Sequence, residues 1–562
     1  MKVTPVSKTL ADVLRGSFLK VPRFQRPYDW DRENLTEFWN DLKDRSDPDY
    51  FMGSVVIFAD QKEKNVLFIV DGQQRITTIT IMLSIIRDAL ADLDEAGPSE
   101  AVHKLIEARD LDDKRRFVLE HDPADRYLQY AIQSQKPDHK AAPEGPQQLN
   151  LQAAYRFLQS GLNLHLKNTF SNKRKESVDY LKHIRDCLLQ MHFISIELDN
   201  EDDAYVIFET LNTRGKDLRV SDLLKNHFMR LIPQKTKGLD TARDNWSEMM
   251  ETLNSVTVMI DPDSFILHYW LSSQSYVSKA NLFLKFKEKI KKNNAKNWLD
   301  EVNAAARTYV RCMAPLEFKF AKEERPLQES LSAIKVFGVA QVAPLMLAIM
   351  TQYERKVISL KSTRGAFDLI EKFTFQFNAL MQSRGGGGVS NMYAKLAQST
   401  MACDSGQSFA NVLADMKDKF RERVPDETEF SLQFTRITYR DTYTRERPLV
   451  RYVLTKLARH YGMPAEIDVG MLTIEHIQPQ SNGEETNDEF DVGAIGNLIF
   501  MNEGLNGKLD NKSFVAKKPF FEVSNNVYPD DFLKKSNKWS DKMIAERGVH
   551  LAGVGYNEIW NI

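Results

Sequence analysis

Residues 66–92 read VLFIVDGQQRITTITIMLSIIRDALAD. The apolar, β-branched run VLFIV (66–70) predicts a strand, and TTITIMLSIIRDALADL (77–93) carries the longer apolar pattern of a helix. DGQQR (Asp71 to Arg75) joins them by a sharp turn. Gly72 permits that turn and a close backbone approach to a ligand, because it has no Cβ. The helix start presents unpaired amides and the positive end of its dipole, which suits an anion. Arg75 can add a bidentate contact to phosphate, and Asp71 can hold a metal or orient a water. DGQQR is not a Walker A loop, and spacing alone equally allows a turn capped by Asp71 with Arg75 in a surface ion pair.

Moving outward, SVVIF (54–58) and VLFIV are separated by the polar link ADQKEKN, which predicts a hairpin. Before it stands VPRFQRPYDW (21–30), and Asp31 is placed to cap a helix over RENLTEFWNDL (32–42). FISIELDN (193–200) predicts another strand, and KPDHKAAPEGPQQ (136–148) an exposed loop. The chain divides into a first region over 1–235, a mostly helical middle over 236–430 and a last region over 431–562. SRGGGGVSN (383–391) interrupts the middle as a flexible loop. No internal repeat is seen.

With 562 residues, 42% apolar and 27% charged, the chain can bury sizeable cores and carries no general disorder signal. Its 76 basic and 78 acidic residues exclude a protein that coats nucleic acid by bulk charge, though not a local basic groove. Cys187, Cys312 and Cys403 form no CxxC pair, which fits a reducing compartment and excludes a cysteine-zinc site. MKVTPVSKTLADVL lacks a secretory core. Phe337 to Met350 is too short to span a bilayer and predicts one buried helix. The expectation is a soluble, cytoplasmic, multidomain protein with no membrane contact.

The sharpest chemistry lies near the C-terminus. LTIEHIQPQ (472–480) puts Glu475 beside His476 at the end of an apolar run. Asn497 follows 21 residues after His476 in IGNLIFMNEGLN, with Asn506 at 30 and Asn511 at 35. Each residue alone suits a strand turn with a surface histidine and Asn-rich loops. Together, in this order, they resemble the HNH (ββα-metal) nucleases. Phosphodiester hydrolysis needs an activated water and a cation to offset charge on the leaving oxygen, and a neutral imidazole can take the water's proton. The resemblance implies His476 as general base, Glu475 and Asn506 as ligands of Mg²⁺ or Mn²⁺, and Asn497 as the brace that orients His476. Asn511 competes with Asn506 for the last ligand position, and Lys517 or Lys518 contacts phosphate. Many HNH sites have Asp where this chain has Glu475. Over 431–460 seven Arg/Lys face two acids, so Arg445, Arg447 and Arg451 can line a duplex or simply form a solvated helix face. The six lysines between Lys285 and Lys296 read as a solvated face.

VPRFQRPYDW, FMGSVVIF (51–58), FIVDGQQRITTI (68–79) and VIFETLNTRGKDLRVSDLLKNHF (206–228) recur in this order in the GmrSD-type, modification-dependent restriction endonucleases, and the pairing with an HNH domain resembles GmrSD, BrxU and SspE. The resemblance implies an α+β, mainly helical protein: an N-terminal ParB/sulfiredoxin-like α/β domain that binds and hydrolyses NTP (GTP, UTP, CTP or ATP), a helical middle, and a C-terminal HNH nuclease acting on modified or phage double-stranded DNA in antiviral defence. It places the nucleotide on Asp71, Gly72, Gln73, Gln74 and Arg75, with Gln25 and Arg26 on the same face. Asn212, Arg214, Gly215, Asp222, Lys225 and Asn226 close the pocket, Lys225 pairing a phosphate. The same segment reads as a helix–turn–helix with Gly215 as C-cap and Ser221 or Asp222 as the next N-cap. Phe24, Tyr28 and Trp30 can form a pocket for a modified base, although packing is the commoner use of such aromatics. A homodimer is compatible with this reading. Two rivals stand beside it: an SspE-like phosphorothioate-sensing NTPase and nickase, and a ParB-like nucleotide-switched DNA-binding protein without cleavage.

Overall fold

The computed structural model describes residues 4–22, 25, 27–43, 50–59, 63, 65–121, 126–171, 173–198, 219–232, 240–381, 388–439, 446–479, 492–509 and 511–562. The protein is mainly helical with a small mixed sheet, an α+β architecture. The chain separates into two compact units, one of 1–244 with 286–297, the other of 245–285 with 298–562.

The first unit is built on β1 (Thr4–Thr9), α1 (Leu10–Gly16), β2 (Phe18–Lys20), α2 (Arg32–Lys43), β3 (Phe51–Ala59), β4 (Val66–Asp71), α3 (Gln73–Asp92), α4 (Ala96–His103), β5 (Glu107–Arg109), β6 (Arg115–Phe117), β7 (Leu119–Glu120), α5 (Pro146–Phe170), α6 (Arg174–Gln190), β8 (His192–Leu198) and α7 (Val220–Leu231). Six strands form one sheet in the order β1-β8-β3-β4-β2-β7, and β5 and β6 pair apart. β3 and β4 are antiparallel, as the hairpin reading predicts, while β3 runs parallel to β8 and β2 parallel to β4. The β3–β8 register slips between Phe51 and Gly53, a bulge that matters below.

α3 is the centre of this unit. Ile76, Ile79, Met82, Leu83 and Ile86 are fully buried, and so are Thr78 and Ser84. A helix apolar on nearly all sides must lie inside a core. Its hydroxyls are satisfied locally, since Thr78, Thr80 and Ser84 each donate to the carbonyl four residues back at 2.8–3.0 Å. Asp31 caps α2, its carboxylate accepting from the amides of Glu33 (2.9 Å) and Asn34 (3.0 Å). α7 begins after Arg219, whose extended backbone (φ −75°, ψ 144°) precedes Val220. Ser221 and Asp222 therefore stand inside its first turn, a correction to the N-cap expectation; Asp222 suits the dipole there. Gly215 lies outside the described residues.

The second unit contains α8 (Thr241–Asn254) in large part, α9 (Pro262–Ser273), part of α10 (Leu282–Lys289) and most of α11 (Ala295–Met313). It continues with α12 (Arg325–Phe337), α13 (Ala343–Glu354), α14 (Leu360–Thr374), α15 (Val389–Met401), α16 (Gly406–Arg421), α17 (Glu427–Phe434) and α18 (Arg447–His460). After these come β9 (Leu472–His476), β10 (Leu498–Asn502), α19 (Glu503–Leu509), α20 (Phe514–Lys517), α21 (Asp531–Lys535) and α22 (Asp541–Val554). The stretch Phe337 to Met350 is two elements, not one helix. Gly338 ends α12 in the left-handed region (φ 67°), and α13 starts at Ala343. No helix among the described residues is long and apolar enough to cross a membrane. Within SRGGGGVSN, 383–387 lie outside the described residues and Gly388 precedes α15.

Glu371 of α14 ties the helical segments to the C-terminal part. It is 1% exposed and accepts from Ser330 (2.7 Å), Tyr452 (2.8 Å) and the Lys456 ammonium (2.6 Å). Tyr452 in turn accepts from the Trp560 indole at 2.8 Å. A buried carboxylate is tolerated only with partners of this kind.

Candidate functional site

Two constellations emerge, one in each unit. In the first, β4 ends at Asp71, Gly72 turns the chain (φ 92°, ψ 1°), and α3 begins at Gln73. A Cβ on Gly72 would lie 3.0 Å from the Val55 side chain and 3.1 Å from the Ser54 carbonyl, so the corner has no room for another residue. The N-cap position is Gly72 itself, which has no side chain to cap the helix start. Arg75 folds back over the β3 bulge. Its Nη1 donates to the Met52 carbonyl at 2.8 Å, and its Nη2 stands 3.5 Å from Asp71 Oδ2. Ser54 Oγ is also 3.5 Å from that carboxylate oxygen. Asp71 is one-third exposed and Arg75 one-quarter, so both reach solvent.

The guanidinium lies against Gly53 (φ 108°), where an added Cβ would come within 1.9 Å of Nη1. Gly53 and Ser54 were not singled out from the sequence; a positive φ leaves no trace beyond the glycine itself.

The PRFQRPYDW segment is fastened to this corner by buried amides. Gln25 donates to the Val70 carbonyl at 2.7 Å, and Gln74 bridges the Pro27 carbonyl (2.9 Å) and the Asp29 amide (3.0 Å). Both are about 8% exposed, so they hold the loop rather than reach outward. Gln73 and Asn226 are buried as well. Lys225 of α7 reaches the Gln25 carbonyl at 3.5 Å, which brings it beside the same loop. Arg26, Asn212, Arg214 and Phe24 lie outside the described residues. Tyr28 is 2% exposed, and its hydroxyl meets Thr78 at 2.8 Å; burial drives its acidity far down. Trp30 packs on Phe38, with ring centres 6.1 Å apart. Tyr28 and Trp30 are thus packed, and Tyr28, buried as it is, does not form a wall of an open base pocket.

In the second unit β9 and β10 form an antiparallel pair, with His476 opposite Leu498 and Glu475 opposite Ile499. Side chains alternate along a strand. Thr473 and Glu475 therefore share the face of Ile499 and Met501, which packs on Leu509 and Phe514. His476 shares the opposite face with Leu472 and Ile474, against Tyr439. Tyr439 stacks on the imidazole (5.8 Å between centres), and its carbonyl lies 3.4 Å from Nε2. A carbonyl only accepts, so this contact puts the proton of the neutral ring on Nε2 and the lone pair on Nδ1. Arg447 is exposed and lies over the other ring of this stack, 5.9 Å from the Tyr439 centre.

Asn497 is fully buried and clamps the turn that follows His476. Its Oδ1 accepts from the Gln478 amide (2.8 Å) and the Trp539 indole (3.0 Å); its Nδ2 donates to the carbonyls of Gln478 (3.0 Å) and Val492 (2.8 Å). Asn506 of α19 donates to Thr473 Oγ1 at 3.0 Å, on the Glu475 face. Asn511 is exposed beyond α19.

The lysines require correction. Lys517 is 1% exposed; its ammonium is bonded to Glu475 Oε1 and, at 2.9 Å, to the His476 carbonyl. It cannot touch a phosphate from there. Lys518 is bonded to the Ser536 carbonyl and Asn537 (2.9 Å). Arg451 is committed to the carbonyls of Val469 and Leu472 and lies over Phe500, so it braces β9 instead of facing a duplex. Arg445 lies outside the described residues.

The oxygen-rich donors Glu475 and Asn506 have the chemistry a hard dication prefers. As arranged they do not fit one, because the Glu475 carboxylate is held by an ammonium and His476 faces the other side of the hairpin. No cluster of three His, Cys, Asp or Glu able to hold a metal exists among the described residues.

Comparison with known protein families gives two matches. The family described as GmrSD restriction endonuclease, N-terminal domain, covers residues 6–229, and the one described as GmrSD restriction endonucleases, C-terminal domain, covers 424–554. The search of curated proteins returned no match. The first match contains the Asp71–Arg75 corner and the second the β9–β10 hairpin with His476. With both domains of one enzyme present in order along a single chain, the protein belongs to the GmrSD-type restriction endonuclease family.

Proposed function

We propose that this restriction endonuclease, whose substrate is DNA, couples NTP hydrolysis at the Asp71–Arg75 corner to cleavage of modified or phage duplex DNA at the His476 hairpin. The observation that carries the nucleotide half is the corner itself. A left-handed glycine, an uncapped helix start and a partly exposed guanidinium converge at the end of a central strand. Such a corner offers amides and a cation to phosphate oxygens. Asp71 stands where it can orient the attacking water, with Ser54 beside it. Lys225 approaches from α7 and adds a second cation near the loop.

In the nuclease half, His476 takes the proton from water through Nδ1, with Nε2 held toward Tyr439. Asn497 fixes the turn that sets the ring. Arg447, one ring away, is the exposed cation best placed to receive a DNA phosphate. A divalent cation, Mg²⁺ or Mn²⁺, belongs to this proposal as cofactor, and no step is assigned to it in the arrangement seen.

The test is hydrolysis of each NTP and cleavage of plain, hydroxymethylated, glucosylated and phosphorothioate DNA by wild type, Asp71→Ala, Arg75→Ala and His476→Ala. Asp71→Ala and Arg75→Ala lose NTP hydrolysis, and His476→Ala loses cleavage while keeping it. Unchanged NTP hydrolysis in both corner variants refutes the nucleotide assignment. Stimulation by phosphorothioate DNA alone assigns the SspE-like role, and binding without cleavage by wild type assigns the ParB-like one.

A further inference from the structure

We propose that a cavity beside the His476 hairpin receives a cytosine swung out of the bound duplex, with room for a substituent on its C5. The inference rests on the nuclease reading above, in which Arg447 meets a DNA phosphate.

The cavity has a volume of about 260 Å³ and lies wholly within the second unit. Leu380, Met381 and Ile437 give it an apolar wall, and Gln433, Arg436 and Glu446 a polar one. Leu380 and Met381 are set there by a widened helical turn over Phe375–Leu380, a local irregularity that recurs at functional sites. The polar side chains are uncommitted: Gln433, Arg436 and Glu446 form no side-chain hydrogen bond or ion pair with any described residue. Glu446 stands at the N-cap of α18, yet its carboxylate does not cap the helix. Arg451 and Arg459 of that helix, by contrast, spend their donors on backbone carbonyls. Unpaired polar groups converging over an apolar wall are the makeup of a ligand pocket.

The neighbours of the cavity point to its ligand. Glu446 is next in sequence to Arg447, and Ile437 is two residues from Tyr439, whose ring stacks on His476. These steps are roughly 4 Å and at most about 7 Å of chain, within reach of a base extruded beside the phosphate that Arg447 meets. The side chains then select among bases. A carboxylate only accepts, a guanidinium only donates, and a carboxamide does both. The pocket therefore offers more donors than acceptors, which complements the cytosine edge, with its one amine and two acceptors. Glu446 accepts from the N4 amine, and Arg436 and Gln433 donate to N3 and O2. The cavity has the volume of roughly nine waters at ~30 Å³ each, more than the eight bonded heavy atoms of cytosine fill, which leaves space at C5.

The experiment uses the full chain in metal-free buffer and duplexes that hold a single C·G pair. 2-Aminopurine beside the cytosine brightens when that base leaves the stack. Wild type brightens it, more so with 5-hydroxymethylcytosine than with cytosine, and leaves 2-aminopurine beside the paired guanine dark. Glu446→Gln weakens binding of the 5-hydroxymethylcytosine duplex roughly 5- to 150-fold, the range for one base-edge contact. Met381→Trp fills the cavity and abolishes the brightening, with thermal melts confirming that each variant is folded. The wild-type fluorescence needs no variant, so it stands if either variant fails to fold. A duplex bound by wild type without brightening overturns the proposal, as does brightening beside the guanine instead, or a folded Glu446→Gln that binds as tightly as wild type. Failure of wild type to bind any duplex instead overturns the DNA reading on which the proposal rests.

Discussion

Replacing Gly53 by Ala tests the nucleotide corner without touching a group proposed to meet the nucleotide. Gly53 has φ 108°, where an L side chain is strained by about 1–2 kcal/mol. The new Cβ would also fall 1.9 Å from Arg75 Nη1. That atom is the end of a flexible side chain, so the clash is relieved by moving the guanidinium, and the fold survives. The displaced Arg75 then loses its 2.8 Å bond to the Met52 carbonyl and its alignment with Asp71. A charge-assisted hydrogen bond contributes roughly 1.5–3 kcal/mol. If that placement acts on the phosphate in the transition state, NTP turnover falls roughly 10- to 150-fold. The assay is steady-state NTP hydrolysis beside a thermal melt, with a double-mutant cycle against Arg75→Ala. Because both changes act through one guanidinium, the double variant is no worse than Arg75→Ala. Turnover by a folded Gly53→Ala within twofold of wild type, or additive losses in the cycle, refutes the reasoning.

Other outcomes follow from the same structure. Asn497→Ala removes four hydrogen bonds at a fully buried position, so the protein loses about 3 kcal/mol by denaturant titration and cuts DNA poorly even when folded. Glu371→Ala leaves Ser330, Tyr452 and Lys456 without their shared acceptor; a stability loss of about 3 kcal/mol is expected, and a loss below about 1 kcal/mol would deny Glu371 its tying role. Burial holds His268 at a pKa of about 4, with Asp261 opposing, against roughly 6.5 unfolded. A depressed histidine keeps its full stabilisation above pH about 6.5 and loses it as pH falls toward 4, here by roughly 3 kcal/mol. His268→Asn flattens that part of the stability–pH curve, and an unchanged slope would count against the buried neutral ring.

Much of the local structure was legible because its causes are local. The change from a β-branched run to a long apolar helix, with Gly72 between, sets the β4–α3 corner, and Asp31 caps α2 through amides two and three residues away. What the sequence left hidden depends on distant partners. Gln25 and Gln74 look like ligand amides in their motifs, yet they fasten the loop to carbonyls 45 and 47 residues away. Arg451 reads as a free cation until the chain returns as β9 and offers its carbonyls. Lys517 carried a usable signal, since Phe514, Lys517 and Phe521 recur at spacings of three and four and place the lysine on a buried face. Its partner Glu475, 42 residues earlier, carried none.

The central claim is that the two chemistries reside in separate units of one chain. Its most direct test measures NTP hydrolysis and DNA cleavage side by side in His476→Ala. The variant is predicted to hydrolyse NTP at the wild-type rate and to leave every DNA of the panel intact. Cleavage by His476→Ala at the wild-type rate would contradict the account.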